Sequence, residues 1–311
     1  MHTILGAGGP ISNALSRELQ ETNHSIRLVS RKPVPASGTT SWKKADLLNY
    51  KETLEACRGS EVIYLCAGLK YDKDVWLDEW PKVMQNVINI TKETGARFIF
   101  FDNVYMYGLV NGPMTEETPY NPISVKGEVR AKIASQLIEE VKAGNLTASI
   151  ARSADFYGAT SSGNSFFDMM VLDKLSKKKT PQWLGNSETL HSFTYVPDAA
   201  KGIFTLGLNP ESDNQIWHLP TAAAMKGIDF INLASAIFGT RPKYSRVNKF
   251  MLQAIGLFNP LIKNTVEMYY QYQYDYIFNS SKFENAFATS AQSYEEGIKY
   301  LADTFYSHKN S

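Results

Sequence analysis

The sequence predicts an α/β protein: a doubly wound domain on a parallel sheet, followed by a smaller C-terminal α/β lobe. Three observations lead there. Short apolar or alternating runs of strand length take turns with amphipathic stretches of helix length through the first half. A glycine-rich turn, Gly6-Ala7-Gly8-Gly9, stands where the first such run passes into the first helix-like stretch. At 311 residues the chain has room for about two domains and can bury a full core without disulfide or metal staples.

The elements follow in order. His2-Thr3-Ile4-Leu5 begins a strand that runs straight into the glycines, and residues 11–22 read as a helix. Ile26-Arg27-Leu28-Val29-Ser30 is the next strand, residues 50–58 a helix, and Val62-Ile63-Tyr64-Leu65-Cys66 a strand. A long helix over 74–94 leads to the strand Phe98-Ile99-Phe100-Phe101, and a helix over 126–143 leads to Ala148-Ser149-Ile150-Ala151. This rhythm gives right-handed crossovers and a sheet covered on both faces. Residues 1–155 are therefore read as the doubly wound domain. Residues 156–311 are read mainly as a smaller lobe with some segments returning to the first domain. There, turn clusters (Ala159 to Ser165, Asn209 to Asn214) interrupt helix-like stretches near 197–207, 228–238, 248–257 and 293–306.

Composition narrows the classes. Hydrophobic residues at 43% and charged residues at 20% are ordinary globular values. Lys+Arg 32 against Asp+Glu 31 leaves no basic excess for a polyanion, so no nucleic-acid partner is expected. Cys57 and Cys66 are too few for a disulfide scaffold or a Cys-based zinc site and read as reduced, buried thiols; no metal is expected. No run nears ~18 apolar residues and no leader precedes the first strand, so a cytoplasmic, soluble protein with no membrane contact is the expectation.

The glycine turn carries the first functional signal. Glycines let the backbone turn tightly and approach a pyrophosphate resting on the helix N-terminus. The spacing fits G-x-x-G-x-x-G as Gly6, Gly9 and Ser12, with Pro10 and Ile11 between them at the cofactor. A strict G-x-G-x-x-G would need glycine at Ile11. At the end of the second strand an NAD site usually places an acid for the ribose 2′-hydroxyl. Here Ser30-Arg31-Lys32 offers a hydroxyl and two cations, and a guanidinium matches a 2′-phosphate. NADP(H) is expected over NAD(H), which stays possible.

With these motifs in place the chain resembles the extended short-chain dehydrogenase/reductase superfamily, in its NAD(P)-dependent nucleotide-sugar epimerase/dehydratase branch. Ala45-Asp46-Leu47 looks like that family's adenine-contacting element, and Cys66-Ala67-Gly68 sits where members pass the backbone beneath the cofactor. Residues 98–108, ending Tyr105-Met106-Tyr107-Gly108, resemble the strand that closes in Tyr-Gly, with Thr115-Glu116 and Pro122 at the usual interval. Ala151-Arg152-Ser153-Ala154-Asp155-Phe156-Tyr157-Gly158 is similar to the family's Arg-x-x-Asn-x-Tyr-Gly, with Asp155 for Asn, and Phe193 to Asp198 to its Val-x-Asp element. The resemblance implies a Rossmann domain, cofactor contacts at Asp46, Leu47, Cys66, Ala67, Gly68, Lys126 and Ser153, substrate contacts at Tyr105, Asp155 and His191, and a helix-packed homodimer.

The family's proton-transfer residues are replaced. Its Ser/Thr position reads Asp102-Asn103, and its Tyr-x-x-x-Lys reads Lys126-Gly127-Glu128-Val129-Arg130. At 3.6 residues per turn, 126, 130, 133, 137 and 141 share a face, and Ile133, Leu137 and Val141 mark it as the buried one. Two cations there need an anion, a cofactor or a wet cleft. One reading makes them a replacement site: Arg130 lowers the Lys126 pKa, Lys126 exchanges a proton with a substrate oxygen, Asn103 orients that oxygen and Asp102 pairs with the cations. The other has them bridge structural carboxylates such as Asp102 or Glu116.

Three functions follow. The first is an atypical NADP(H)-dependent oxidoreductase or isomerase acting on a small carbonyl or hydroxyl substrate. The second is an NADP(H)-binding redox sensor without turnover, and the third, disfavoured by the missing residues, is a nucleotide-sugar epimerase. The aromatic run from Phe258 to Phe278 reads as lobe packing or as a wall over the nicotinamide. Lys177-Lys178-Lys179 reads as a solvated turn or a diphosphate contact, and His218 and Tyr107 as packing.

Overall fold

The computed structural model describes residues 1–159 and 165–307. Seven strands form one sheet: β1 His2–Leu5, β2 Ile26–Ser30, β3 Thr40–Lys44, β4 Val62–Leu65, β5 Arg97–Asp102, β6 Ala148–Arg152 and β7 Ile216–His218. Every neighbouring pair is parallel, in the order 7-6-5-4-1-2-3. Five helices cross between and over them: α1 Pro10–Glu21, α2 Tyr50–Cys57, α3 Lys73–Thr94, α4 Val125–Lys142 and α5 Val196–Leu208. One face of the sheet packs α2, α3 and α4, with Val83, Val87, Ile133 and Leu137 in the same core as Phe98 and Phe100. The other face packs α1 and α5, with Leu15, Leu19, Ala199 and Ile203 in the core with Ile4 and Tyr64. Strands covered on both sides are apolar at nearly every position, and β1 and β4 are buried throughout. The order in which successive strands are laid down reverses between β1 and β4, which opens a crevice at their carboxyl ends.

Predicted strands and helices all appear, most within two residues of the expected ends. Two strands of the sheet were not foreseen. β3 is an outer strand of Thr40-Ser41-Trp42-Lys43-Lys44, whose mostly polar and exposed side chains leave no apolar pattern to read. β7 returns to the sheet from within the second half, and its segment is pinned by Arg97. That guanidinium pairs with Asp213 at 2.6 Å and donates to the carbonyls of Leu206, Gly207 and Asn209.

Much of the remaining chain builds a smaller lobe around a separate aromatic core that includes Phe167, Trp183, Phe193, Phe230 and Tyr294, while Phe283 returns to the core of the sheet. Short strand pairs, Asp155–Tyr157 with Phe193–Tyr195 and Gln182–Leu184 with Ser245–Val247, tie it together. Helix α6 spans Gly227–Ile237 and α7 spans Lys249–Gly256. The expected helix at 293–306 starts with a capping box, Ser293 and Glu296, and widens after Leu301 into a π-turn to Tyr306. Positions 160–164 of the expected turn cluster lie outside the described residues.

Candidate functional site

The site begins at the carboxyl ends of β1, β2 and β4. Gly6 has φ +89°, and a Cβ there would lie 2.3 Å from the Ala67 Cα, so only glycine lets the β1 and β4 ends approach. Gly8 also has positive φ (+99°), and Gly9, in extended backbone, is the N-cap of α1 with Pro10 in the first turn. No side chain caps this helix start, so the N–H groups beside Ile11 and Ser12 are open to an anion. Ser12, in the third glycine's place, turns its hydroxyl back to the Gly9 carbonyl at 2.9 Å and leaves the approach clear. These features fit a dinucleotide pyrophosphate.

At the β2 end the Ser30 hydroxyl is already engaged: it accepts from Trp42 Nε1 at 3.0 Å and donates to the Lys32 carbonyl at 2.7 Å. Arg31 is exposed, and it has no carboxylate partner among the described residues. Asp46 sits in its own turn, Oδ1 accepting from the Leu48 N–H at 3.0 Å, while the Leu47 carbonyl is held by Asn86. Cys66 is buried, its N–H on the Leu5 carbonyl at 2.9 Å and its thiol pushed up to about 12 by burial. Beside Gly68 no atom lies within 4 Å of an added Cβ, so the backbone there borders open space. Ser153 closes the floor, its N–H on the Asp102 carbonyl and its hydroxyl on the Ala154 carbonyl.

Lys126 and Arg130 on α4 are both buried, and each has its own carboxylate. Arg130 packs its guanidinium 4.1 Å from the Trp80 ring and 5.0 Å from Trp76, with Nε 3.3 Å from Asp102. Asp102 has no exposed side-chain surface and lies between Arg130 and Arg152, the latter 3.9 Å away. Burial raises its pKa, and the two guanidinium groups pull it back. Arg152 also donates to the Tyr107 hydroxyl at 2.6 Å and to Tyr120. Tyr107 in turn meets His218 Nε2 at 2.8 Å, which makes both packing residues of a buried polar network. Asn103 folds its Oδ1 onto the Tyr105 N–H at 3.0 Å.

Lys126 is enclosed by a segment no spacing rule pointed to. Its Nζ lies 2.5 Å from Glu267 Oε1 and 2.6 Å from the Asn264 carbonyl, over the Tyr71 ring at 4.4 Å. The other Glu267 oxygen accepts the Val125 N–H at 2.8 Å, so one carboxylate satisfies both the helix start and the lysine. Burial lowers the Lys126 pKa and Glu267 opposes the shift. Glu267 keeps 21% side-chain exposure, which links the buried ammonium to the surface.

Beyond Lys126 the crevice is walled by phenols. Asp155 Oδ2 accepts from the Tyr272 hydroxyl at 2.7 Å and meets His191 Nε2 at 3.3 Å, and its N–H reaches the Tyr276 hydroxyl at 3.2 Å. The His191 ring stacks between Tyr272 and Tyr276. Tyr105 stacks on Trp76 and interacts with Tyr71. The structure thus brings the expected substrate residues Asp155 and His191 into direct contact. It draws in Tyr272 and Tyr276 from the aromatic run, and adds Tyr71 and Glu267, which sequence reasoning missed. One signal for Glu267 was available: it is the lone acid between Asp229 and Asp275. Of the aromatic run, Tyr269, Tyr272 and Tyr276 are buried in the lobe, and Tyr274 is exposed.

A family model described as the NAD dependent epimerase/dehydratase family matches residues 2–219. Among solved structures, one titled gox2253 superposes with TM-score 0.82 at 18% identity, over 99% of this chain and 98% of that one. A UDP-glucose 4-epimerase from Thermotoga maritima, solved with UDP-glucose, gives 0.79 at 15% identity over 100% and 99%. A UDP-glucose 4-epimerase from Thermus thermophilus, solved with NAD, gives 0.79 at 14% identity over 98% and 99%. No curated protein matches the sequence. At these identities the likeness is one of fold.

Proposed function

The chain belongs to the NAD dependent epimerase/dehydratase family, and on that premise we propose that it is an oxidoreductase or isomerase binding NADP(H) in preference to NAD(H) and acting on a small carbonyl or hydroxyl substrate. The open N-terminus of α1, the close approach of Gly6 to Ala67 and the exposed Arg31 support the cofactor half of this reading. Ile11 and Ser12 would hold the pyrophosphate and Arg31 the 2′-phosphate. When bound, the nicotinamide supplies or receives the hydride.

The observation that carries the chemical half is the contact of Lys126 with Glu267 at the position of the family's tyrosine. A lysine with a burial-lowered pKa gives up its proton more readily, and the part-exposed Glu267 is a route for replacing it from solvent. Lys126 donates a proton to the substrate oxygen in the reductive direction and takes one in the oxidative direction. Because Nζ is enclosed, the 264–267 segment must part to admit that oxygen. Arg130, shut in with the tryptophans and Asp102, is a positioning residue that fixes α4, and Asn103 holds the turn before Tyr105. Asp155 and His191 orient the substrate.

Paired NADPH and NADH titrations followed by nicotinamide fluorescence test the cofactor, with at least about tenfold tighter NADPH binding expected. Arg31→Ala should erase that preference without changing NADH binding. Lys126→Met should abolish carbonyl-dependent NADPH loss while retaining NADPH affinity; full turnover in that variant would exclude the lysine. The pairing of each cation with a carboxylate favours a second reading, a redox sensor that binds NADP(H) without turnover. Tight NADPH binding with no loss of NADPH on any carbonyl offered would select it.

A further inference from the structure

One surface stands apart from the crevice and from the cofactor reading. Helix α7 and the short helix Pro260–Lys263 fold into a hairpin on the outer lobe. Leu252 and Gly256 alone face inward along α7. Outward stand Phe250 (77% exposed), Leu257 (81%) and Phe258 (90%), with Met251, Ile255 and Leu261 around them. Leu257 and Phe258 form the tip, where the two helices meet. Scattered exposed apolar side chains need no explanation; six within twelve positions, two of them phenylalanines open to water, do.

Charge says what covers them. Residues 230–266 contain Arg241, Lys243, Arg246, Lys249 and Lys263 and no acid, in a chain whose net charge is only +1. Lys249 and Lys263 open and close the hairpin. The exposed Lys178 and Lys179 come alongside as well, because the Ser245 N–H bonds the Pro181 carbonyl at 3.0 Å. Asp72 and Asp74 lie at the crevice end, where the Lys73 N–H meets Asn264, and Glu267, the acid that follows the hairpin, is taken up by Lys126. A second copy seated on this face by a two-fold axis would set these cations against themselves. An apolar tip inside a basic rim is complementary to a bilayer surface bearing anionic headgroups.

We propose that this hairpin docks the protein on membranes containing anionic phospholipid, seating Phe250, Leu257 and Phe258 among the headgroups while the surrounding lysines and arginines meet the lipid charge. The element lies on the surface and does not span: no helix among the described residues is long and apolar enough to cross a membrane. Docking does not depend on turnover. It would hold the chain immediately before Asn264 and Glu267, the residues that enclose Lys126.

The test is flotation of the full-length protein with vesicles of phosphatidylcholine alone and of phosphatidylcholine with about a third phosphatidylserine. Binding to the anionic vesicles is expected to weaken with added salt, and to be at least about tenfold weaker on phosphatidylcholine alone. Leu257→Ser/Phe258→Ser should weaken it at least about tenfold with an unchanged melting temperature, since both side chains already stand in water. Absence of the intact protein from floated anionic vesicles overturns the proposal, as does binding that the double variant retains. Concentration-dependent dimerisation that the variant abolishes, without vesicle binding, would assign the face to a second copy instead.

Discussion

Removing the Arg130 guanidinium while leaving Asp102 in place strands a carboxylate with no exposed surface of its own. Breaking a buried pair at one partner typically costs about 3–5 kcal/mol, and Arg152, 3.9 Å from Asp102, returns part of it. Arg130→Met is therefore expected to lower unfolding stability in urea by about 3 kcal/mol, and Arg130→Met/Asp102→Leu to recover much of the loss. A single-variant loss below about 1 kcal/mol would mean the pair contributes no more than a surface ion pair. The burial of both cations was legible from helical spacing, because a face shared with Ile133 and Leu137 can only point inward. Arg130's partner was also legible, since Asp102 ends the adjacent strand. Lys126's partner was not, because Glu267 lies 141 positions downstream and no periodicity reaches across that interval.

At the scale of the element, the turn from β1 into α1 separates two kinds of glycine. Gly6→Ala meets both a positive φ and the Ala67 backbone, so it should lower the melting temperature and NADPH affinity together. Gly9 has φ −82°, and an added Cβ would come no nearer than 3.8 Å to Ser12 Oγ. Gly9→Ala should then keep the melting temperature and weaken only NADPH binding, by narrowing the nucleotide's approach; equal melting losses in the two variants would contradict this. This turn was readable because glycine spacing records backbone geometry directly. β3 was not, because an outer strand with polar side chains on its open faces has no apolar repeat, and its pairing with β2 is set by backbone bonds that any residue but proline can make.

For the whole molecule, His2 and His218 pull the response to acid one way, and the buried carboxyls Asp198 and Asp102, both raised by burial, pull it the other. Burial holds His2 down to about 4 and His218 down to about 3, against an ordinary 6.5. Both stay neutral in the fold while the unfolded chain takes up protons. Their stabilisation is complete above pH 6.5 and drains away as pH falls toward those values. Asp198 runs the other way. Burial raises it from 3.8 to about 6, so its contribution is present below 3.8 and lost as pH rises through 6. The rise of Asp102 is restrained by Arg130 and Arg152, so the two histidines outweigh the carboxyls and the melting temperature should climb between about pH 4 and 6.5. Asp198→Asn should steepen that climb, and an unchanged or shallower slope would show that Asp198 is not the opposing group. The doubly wound plan was legible because alternating periods persist along the chain. The closing strand β7 was hidden, since three residues, Ile216–His218, carry too little pattern to announce a return to the sheet. That return also bears on synthesis. β6 remains an open edge, and the Leu206, Gly207, Asn209 and Asp213 partners of Arg97 are absent, until about 220 residues have left the ribosome. A nascent chain cut near residue 155 would present a bare hydrogen-bonding edge and an unroofed apolar face where α5 belongs. The nucleotide-binding half should thus finish folding only after much of its neighbouring lobe has been made.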